Sequence, residues 1–228
     1  MILNKLLTSL AAFSLLLSSA PISANPSVDE ILNKMVVSYG GEVALSKLNA
    51  PYQQEWALTA IARNNEKGSD HRTIDLPNKL KIELTYPSKS EIRFLDGAKG
   101  EKIYDKNSRR EVKGPGLDAM RLQRMRLYNP LLLKQRAAEI QADFQIKAYY
   151  QLELREENIV TIYYVNRETL LIDKVKGTLS LGGMSMSFLT KYFDYKAVEG
   201  VMLAHKEVKF AGQVNTAELV LINTQFSS

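Results

Sequence analysis

KLKIELTYPSKSEIRFLDG, residues 79–97, is the stretch that decides the fold class. Leu80, Ile82, Leu84 and Tyr86 alternate without error with Lys79, Lys81, Glu83 and Thr85, the period of a strand with one apolar face. Pro87-Ser88 turns the chain. Ile92 and Phe94 then take the apolar side of a second strand while Glu91 and Arg93 point the other way, and Asp96-Gly97 supplies the next hairpin.

The same period extends in both directions. Upstream, from Tyr52, the residues Trp56, Leu58, Ala60 and Ala62 alternate with their neighbours. Downstream, Ala148, Tyr150, Leu152 and Leu154 form a further face, Glu157-Asn158 turns, and strands are expected over 159–166, 170–179, 184–195, 201–210 and 216–226. Sequential antiparallel strands with one apolar face build a sheet that hides one side. About ten of them are expected to curl round that side into an open barrel. The class is mainly β (α+β), because two segments follow the helical period instead.

The first is short. Ser27 caps a helix with Glu30 three residues on, Ile31, Leu32, Met35 and Val36 make its apolar stripe, and Gly40-Gly41 ends it. The second is GPGLDAMRLQRMRLYNPLLL, residues 114–133, alone among strands. Leu117, Met120, Leu127 and Tyr128 fall in one arc, Leu122 and Met125 in a neighbouring one, and Ala119, Gln123 and Arg126 occupy the remaining narrow side. Asn129-Pro130 stops it, since the residue before a proline leaves the helical region, and Leu131 carries the apolar surface onward. Such a segment serves as an ordinary packing helix with snorkelling arginines, a membrane-surface helix, or a lid over an apolar cavity. Scattered arginines speak against the second, and the width of the apolar arc speaks for the third.

Composition narrows the classes of function. Residues 1–24 place Lys5 before the apolar run Leu6–Leu17 and end in Ile22-Ser23-Ala24, the pattern of a cleaved secretory signal too short to span a bilayer. Residues 25–228 are then expected to form one domain, held by its core alone, because the chain has no cysteine. The formal net charge is +5, Lys5 included. That mild excess is spread along the chain, which points away from nucleic acid and towards anionic lipid head groups. A soluble periplasmic monomer is expected. The two histidines, His71 and His205, lie in presumed strands as surface or rim residues, and HExxH, GxSxG and phosphate-loop motifs are missing. No catalytic residue, metal site or cofactor is therefore assigned.

The order of elements resembles a family. The leader, a helix ending in Tyr39-Gly40-Gly41, a Trp-bearing first strand, the hairpin at 80–97, the mid-chain Leu117-Asp118-Ala119-Met120-Arg121 and the closing Asp194-Tyr195 before Glu199-Gly200-Val201-Met202-Leu203-Ala204-His205 are similar to the periplasmic outer-membrane lipoprotein carrier (LolA-like and LolB-like) superfamily of outer membrane lipoprotein-sorting proteins. The resemblance implies a half-open antiparallel β-barrel of about eleven strands, with helices covering the concave face and sheltering acyl chains. It further implies an early-strand arginine that ties the helix shut, with Arg63 or Arg72 in that position.

The expected function is thus a non-catalytic carrier or binder of amphipathic lipids, including lipoprotein acyl chains, loaded and unloaded by inner- and outer-membrane protein partners. Cargo is expected between a concave wall of Trp56, Leu58, Leu80, Ile82, Leu84, Ile92 and Phe94 and a lid of Leu117, Met120, Met125 and Leu131. Met184 and Met186, alternating with serines, add an adaptable lining, although methionine serves equally as core filler. The rival reading is a sensory module that detects lipid or mislocalised lipoprotein and binds a membrane protein. A lipid hydrolase stands third.

Overall fold

Ser27 and Glu30 cap each other as their spacing predicts, the Ser27 amide donating to Glu30 Oε2 at 2.8 Å and the Glu30 amide to Ser27 Oγ at 3.2 Å. This opens α1 (Val28–Ser38), which buries Ile31, Leu32, Met35 and Val36 and is followed by α2 (Gly41–Leu45). Between them Gly40 sits at φ +109°, where a Cβ would lie 2.0 Å from the Gly200 carbonyl oxygen. Only glycine permits that approach, and it lets the Met202 amide donate to Tyr39 O at 3.1 Å. The computed structural model describes residues 25–105, 107–181 and 183–227, so the leader expected over 1–24 lies outside the described residues.

Among the described residues thirteen strands follow in one sheet, where about eleven are expected. The first six are β1 (Tyr52–Ala60), β2 (Glu66–Asp75), β3 (Lys79–Thr85), β4 (Ser90–Asp96), β5 (Lys99–Tyr104) and β6 (Ser108–Val112). Two helices come next, α3 (Pro115–Met125) and α4 (Pro130–Gln135). The chain then returns through β7 (Gln141–Asp143), β8 (Tyr149–Glu156), β9 (Ile159–Asn166), β10 (Ile172–Leu181), β11 (Met184–Val198), β12 (Val201–Ala211) and β13 (Val214–Phe226).

Neighbours run β6-β5-β4-β3-β2-β1-β13-β12-β11-β10-β9-β8-β7, each pair antiparallel. The chain therefore walks outward from the centre to one edge, crosses to the other edge, and walks back until β13 pairs with β1. The crossing is made by α3 and α4. Their position over the concave face follows from this route, since a connection between the two edges of a curled sheet passes across its hollow.

Register corrects one expectation. Leu80 lies opposite Leu95, Ile82 opposite Arg93 and Leu84 opposite Glu91. Directly opposed residues of an antiparallel pair share a face, so Arg93 and Leu95 join the concave side and Ile92 and Phe94 stand half-buried on the convex side. The cause is the connection 86–89, whose length sets the pairing, and a one-residue change of register exchanges every side chain between faces.

The helical segment also differs from a single run to Asn129. The helix α3 closes at Arg126, and Asn129 starts α4 by accepting from the Leu131 and Leu132 amides at 2.9 and 3.1 Å, with Pro130 at the first helical position. No helix among the described residues is long and apolar enough to cross a membrane.

Candidate functional site

The inner faces of β1–β5 and β11–β13 and the underside of α3 line a half-open cavity of about 480 Å³. Leu58 and Ala60 of β1 and Ile82 and Leu84 of β3 supply apolar wall on one side, and Phe188 of β11 and Leu219 of β13 on the other. Ala119, Met120, Leu122 and Gln123 of α3 form the roof, which Arg126 and Leu127 complete. A smaller cavity of about 100 Å³ lies towards the end of α1, between Tyr39, Tyr52, Trp56 and Tyr195. Arg126, Leu127, Tyr192 and Glu207 border both spaces.

Of the residues expected to bind cargo, Leu58, Ile82, Leu84 and Met120 meet at the larger cavity, and Trp56 faces the smaller one. The others lie elsewhere. Leu80 is buried in the core, and Leu117 packs on Gly100 of β5, where an added Cβ would come within 2.8 Å of its Cδ1. Met125 is fully buried with its sulfur 3.6 Å from the Thr161 hydroxyl, and Leu131 packs half-buried against the core. Ile92 and Phe94 are on the convex face, while Met184 and Met186 are exposed at the β10–β11 hairpin, 74 and 47 % accessible.

The face of α3 that meets the cavity also differs from expectation. Leu122 and Met125, from the apolar arcs, press into the second half of the sheet, so closely that a Cβ on Gly177 of β10 would fall 2.2 Å from Leu122 Cδ1. The narrow side, Ala119, Gln123 and Arg126, is turned to the empty space. The broad apolar surface therefore anchors the roof as much as it lines the hollow.

Polar bonds hold the roof from one direction. Tyr163 of β9 donates its hydroxyl to Met125 O at 2.8 Å, and Tyr192 of β11 donates to Arg126 O at 2.9 Å, occupying carbonyls that a helix end leaves without intrahelical partners. Burial pushes the Tyr192 phenol far above its ordinary range, which keeps it a donor. Glu156, at the end of β8, accepts from Arg124 at 2.7 Å, from Tyr128 at 3.2 Å and from Arg136. Arg121 reaches Glu157 at 2.6 Å. Neither arginine expected to tie the helix does so: Arg63 pairs with Glu66 and covers the Tyr86 ring, and Arg72 lies beneath the cavity.

Arg72 organises a buried charge cluster. Its Nε and Nη2 donate to Asp70 at 3.1 and 3.0 Å, its Nη1 and Nη2 donate to Glu207 at 2.8 and 2.9 Å, and its guanidinium stacks 4.6 Å from the Trp56 ring centroid. Burial opposes ionisation of Glu207, yet Arg72 and Lys209 beside it hold its carboxyl down at about 2. Burial pulls the Lys209 ammonium below its ordinary range, Arg72 adding to the effect. The signal for this cluster is the pair of opposite charges two residues apart, Asp70 and Arg72 on one strand, Glu207 and Lys209 on another, which period two places on one face.

No family model and no curated protein matches the sequence. Solved structures do match the fold. A LolA superfamily protein from Nitrosomonas europaea superposes with a TM-score of 0.57 at 10% identity, covering 90% of this chain and 95% of that one. An outer membrane lipoprotein-sorting protein domain from Vibrio parahaemolyticus superposes with a TM-score of 0.50 at 8% identity, covering 88% of this chain and 92% of that one. The chain has the LolA-like fold.

Proposed function

Proceeding from that fold, we propose that the protein is a periplasmic carrier that shelters the acyl chain of an amphipathic lipid or lipoprotein beneath α3, without covalent chemistry. The observation that carries this reading is a cavity of about 480 Å³, walled largely by apolar side chains and roofed by a helix that hydrogen-bonds to one half of the sheet. Small-molecule sites span roughly 300–1,000 Å³. Each buried methylene contributes about 0.8 kcal/mol, so an alkyl chain between Leu84, Ile82 and Met120 gains affinity from the apolar area it buries there and leaves when the roof lifts. The Lys5–Ala24 pattern supports export, and the LolA-like fold supports a hollow that holds lipid.

Native mass spectrometry of gently purified protein, followed by solvent extraction, tests the reading. Wild type is expected to carry lipid and to bind added palmitate. Met120→Glu and Leu84→Asp each place a charge in the hollow and are expected to weaken palmitate binding about tenfold or more, with the circular-dichroism spectrum kept. A wild-type protein that carries no lipid and binds no palmitate overturns it.

A further inference from the structure

The cavity wall carries more positive charge than it neutralises. Below α3, the carboxylates of Asp70 and Glu207 face Arg72, Lys209 and Arg126; Arg72 bonds both, and Lys209 Nζ stands 3.4 Å from Glu207 Oε2 and 3.8 Å from Asp70 Oδ2. Arg126 pairs with no carboxylate among the described residues. Its Nη1 donates to the Thr190 hydroxyl at 3.0 Å and its Nε donates to Leu122 O at 3.4 Å, both neutral acceptors, while its Nη2 has no hydrogen-bond partner among the described residues. Across the cavity, Arg93 and Lys102 share one carboxylate, Glu91, at 2.8 and 3.6 Å. Each cluster thus has one cation more than it has carboxylates.

An unpaired guanidinium beside an apolar wall is costly, and the cost falls when an anion accepts its free N–H groups. Burial lowers the affinity of Arg126 for its proton; Tyr192 and Glu207 oppose the effect and Arg72 and Arg93 add to it. Arg126 also stands where the two hollows meet, so a group held by it has apolar space on both sides.

We infer that the ligand is an amphiphile with an anionic head group, phosphate or carboxylate, bound by Arg126 while its alkyl chain lies along Leu84, Ile82 and Met120. This rests on the lipid-carrier reading and gives it a substrate class. The head group points inward to the seam of the sheet instead of outward to water.

Displacement of the uncharged probe N-phenylnaphthylamine, followed with decyl phosphate, decanol and inorganic phosphate, tests the inference. Wild type is expected to bind decyl phosphate about tenfold or more tightly than decanol. Arg126→Met should bring the two within about threefold, the larger loss falling on decyl phosphate, while Arg126→Lys keeps most of the preference. If Arg126→Met fails to fold, rising salt on the wild type must weaken decyl phosphate and spare decanol. Equal binding of both amphiphiles by wild type, or a preference that survives in Arg126→Met or is indifferent to salt, overturns the inference and leaves the carrier reading standing. Binding of neither amphiphile overturns both. Inorganic phosphate bound as tightly as decyl phosphate would make this a free-anion site and overturn the head-group assignment.

Discussion

The two halves of the sheet treat the helical roof differently. From β7–β13 come two tyrosine hydroxyls, the Glu156 carboxylate with three donors, the Glu157 ion pair and the Thr190 bond. From β1–β6, among the described residues, come no hydrogen bonds or ion pairs to α3 or α4; Leu117 and Met120 rest on the bare backbone of Gly100. Directional bonds fix the helix to one half, and contact alone joins it to the other. Such an arrangement lets one side part at the cost of apolar area while the hydrogen bonds and ion pairs on the other stay made.

The largest expected effect lies where the halves are joined, because Arg72 of β2 bonds Glu207 of β12 across the β1–β13 seam. Arg72→Met leaves the buried carboxylates of Asp70 and Glu207 with Lys209 alone beside them and should cost about 3–5 kcal/mol in a urea melt. The pair also has a pH signature. Glu207 titrates at about 2 in the fold against an ordinary 4.5, so its stabilisation is complete above pH 4.5 and drains as pH falls towards 2. Glu207→Gln should flatten wild-type stability in that window. An unchanged slope there would show that other carboxylates govern acid unfolding.

An intermediate effect belongs to the second half. Glu156→Gln removes the charge shared by Arg124, Tyr128 and Arg136, and should cost about 1–3 kcal/mol while speeding hydrogen exchange in α3. The smallest belongs to the first half. Leu117→Ala trims a half-buried contact and should cost at most about 1 kcal/mol, yet raise the on-rate of palmitate by loosening the free side of the roof. If Leu117→Ala costs as much as Glu156→Gln, the two halves hold the helix equally and the contrast fails.

Legibility in the sequence followed the apolar period and failed where charge or turn geometry took over. The KLKIELT strand, the Ser27 cap and the strands from Tyr149 onward are readable because burial there is apolar and regular. Strand β2 escapes the period because Asp70 and Arg72 occupy its inner face, and β5 and β6 escape it because their residues are mostly charged or small. The β4 faces invert because the loop 86–89, and not the strand's own pattern, decides the pairing. The helix is legible as a roof, but its orientation is not. A wide apolar arc meets a sheet as readily as a hollow, and the partners that decide between them, Tyr163, Tyr192 and Gly177, lie far along the chain.

The pairing of β1 with β13 has a consequence for how the chain reaches this structure. Tyr52 meets Phe226, so the two central strands of the sheet are among the most distant in sequence. Contacts between remote segments are the slow step in folding, because loop closure must precede any gain from them. Hairpins on either flank have local partners from the start, whereas the centre stays unzipped until the final strand has been delivered. A chain that emerges N-terminus first therefore completes its sheet only after its far end is free, and the same late closure forms the seam that Arg72 and Glu207 lock.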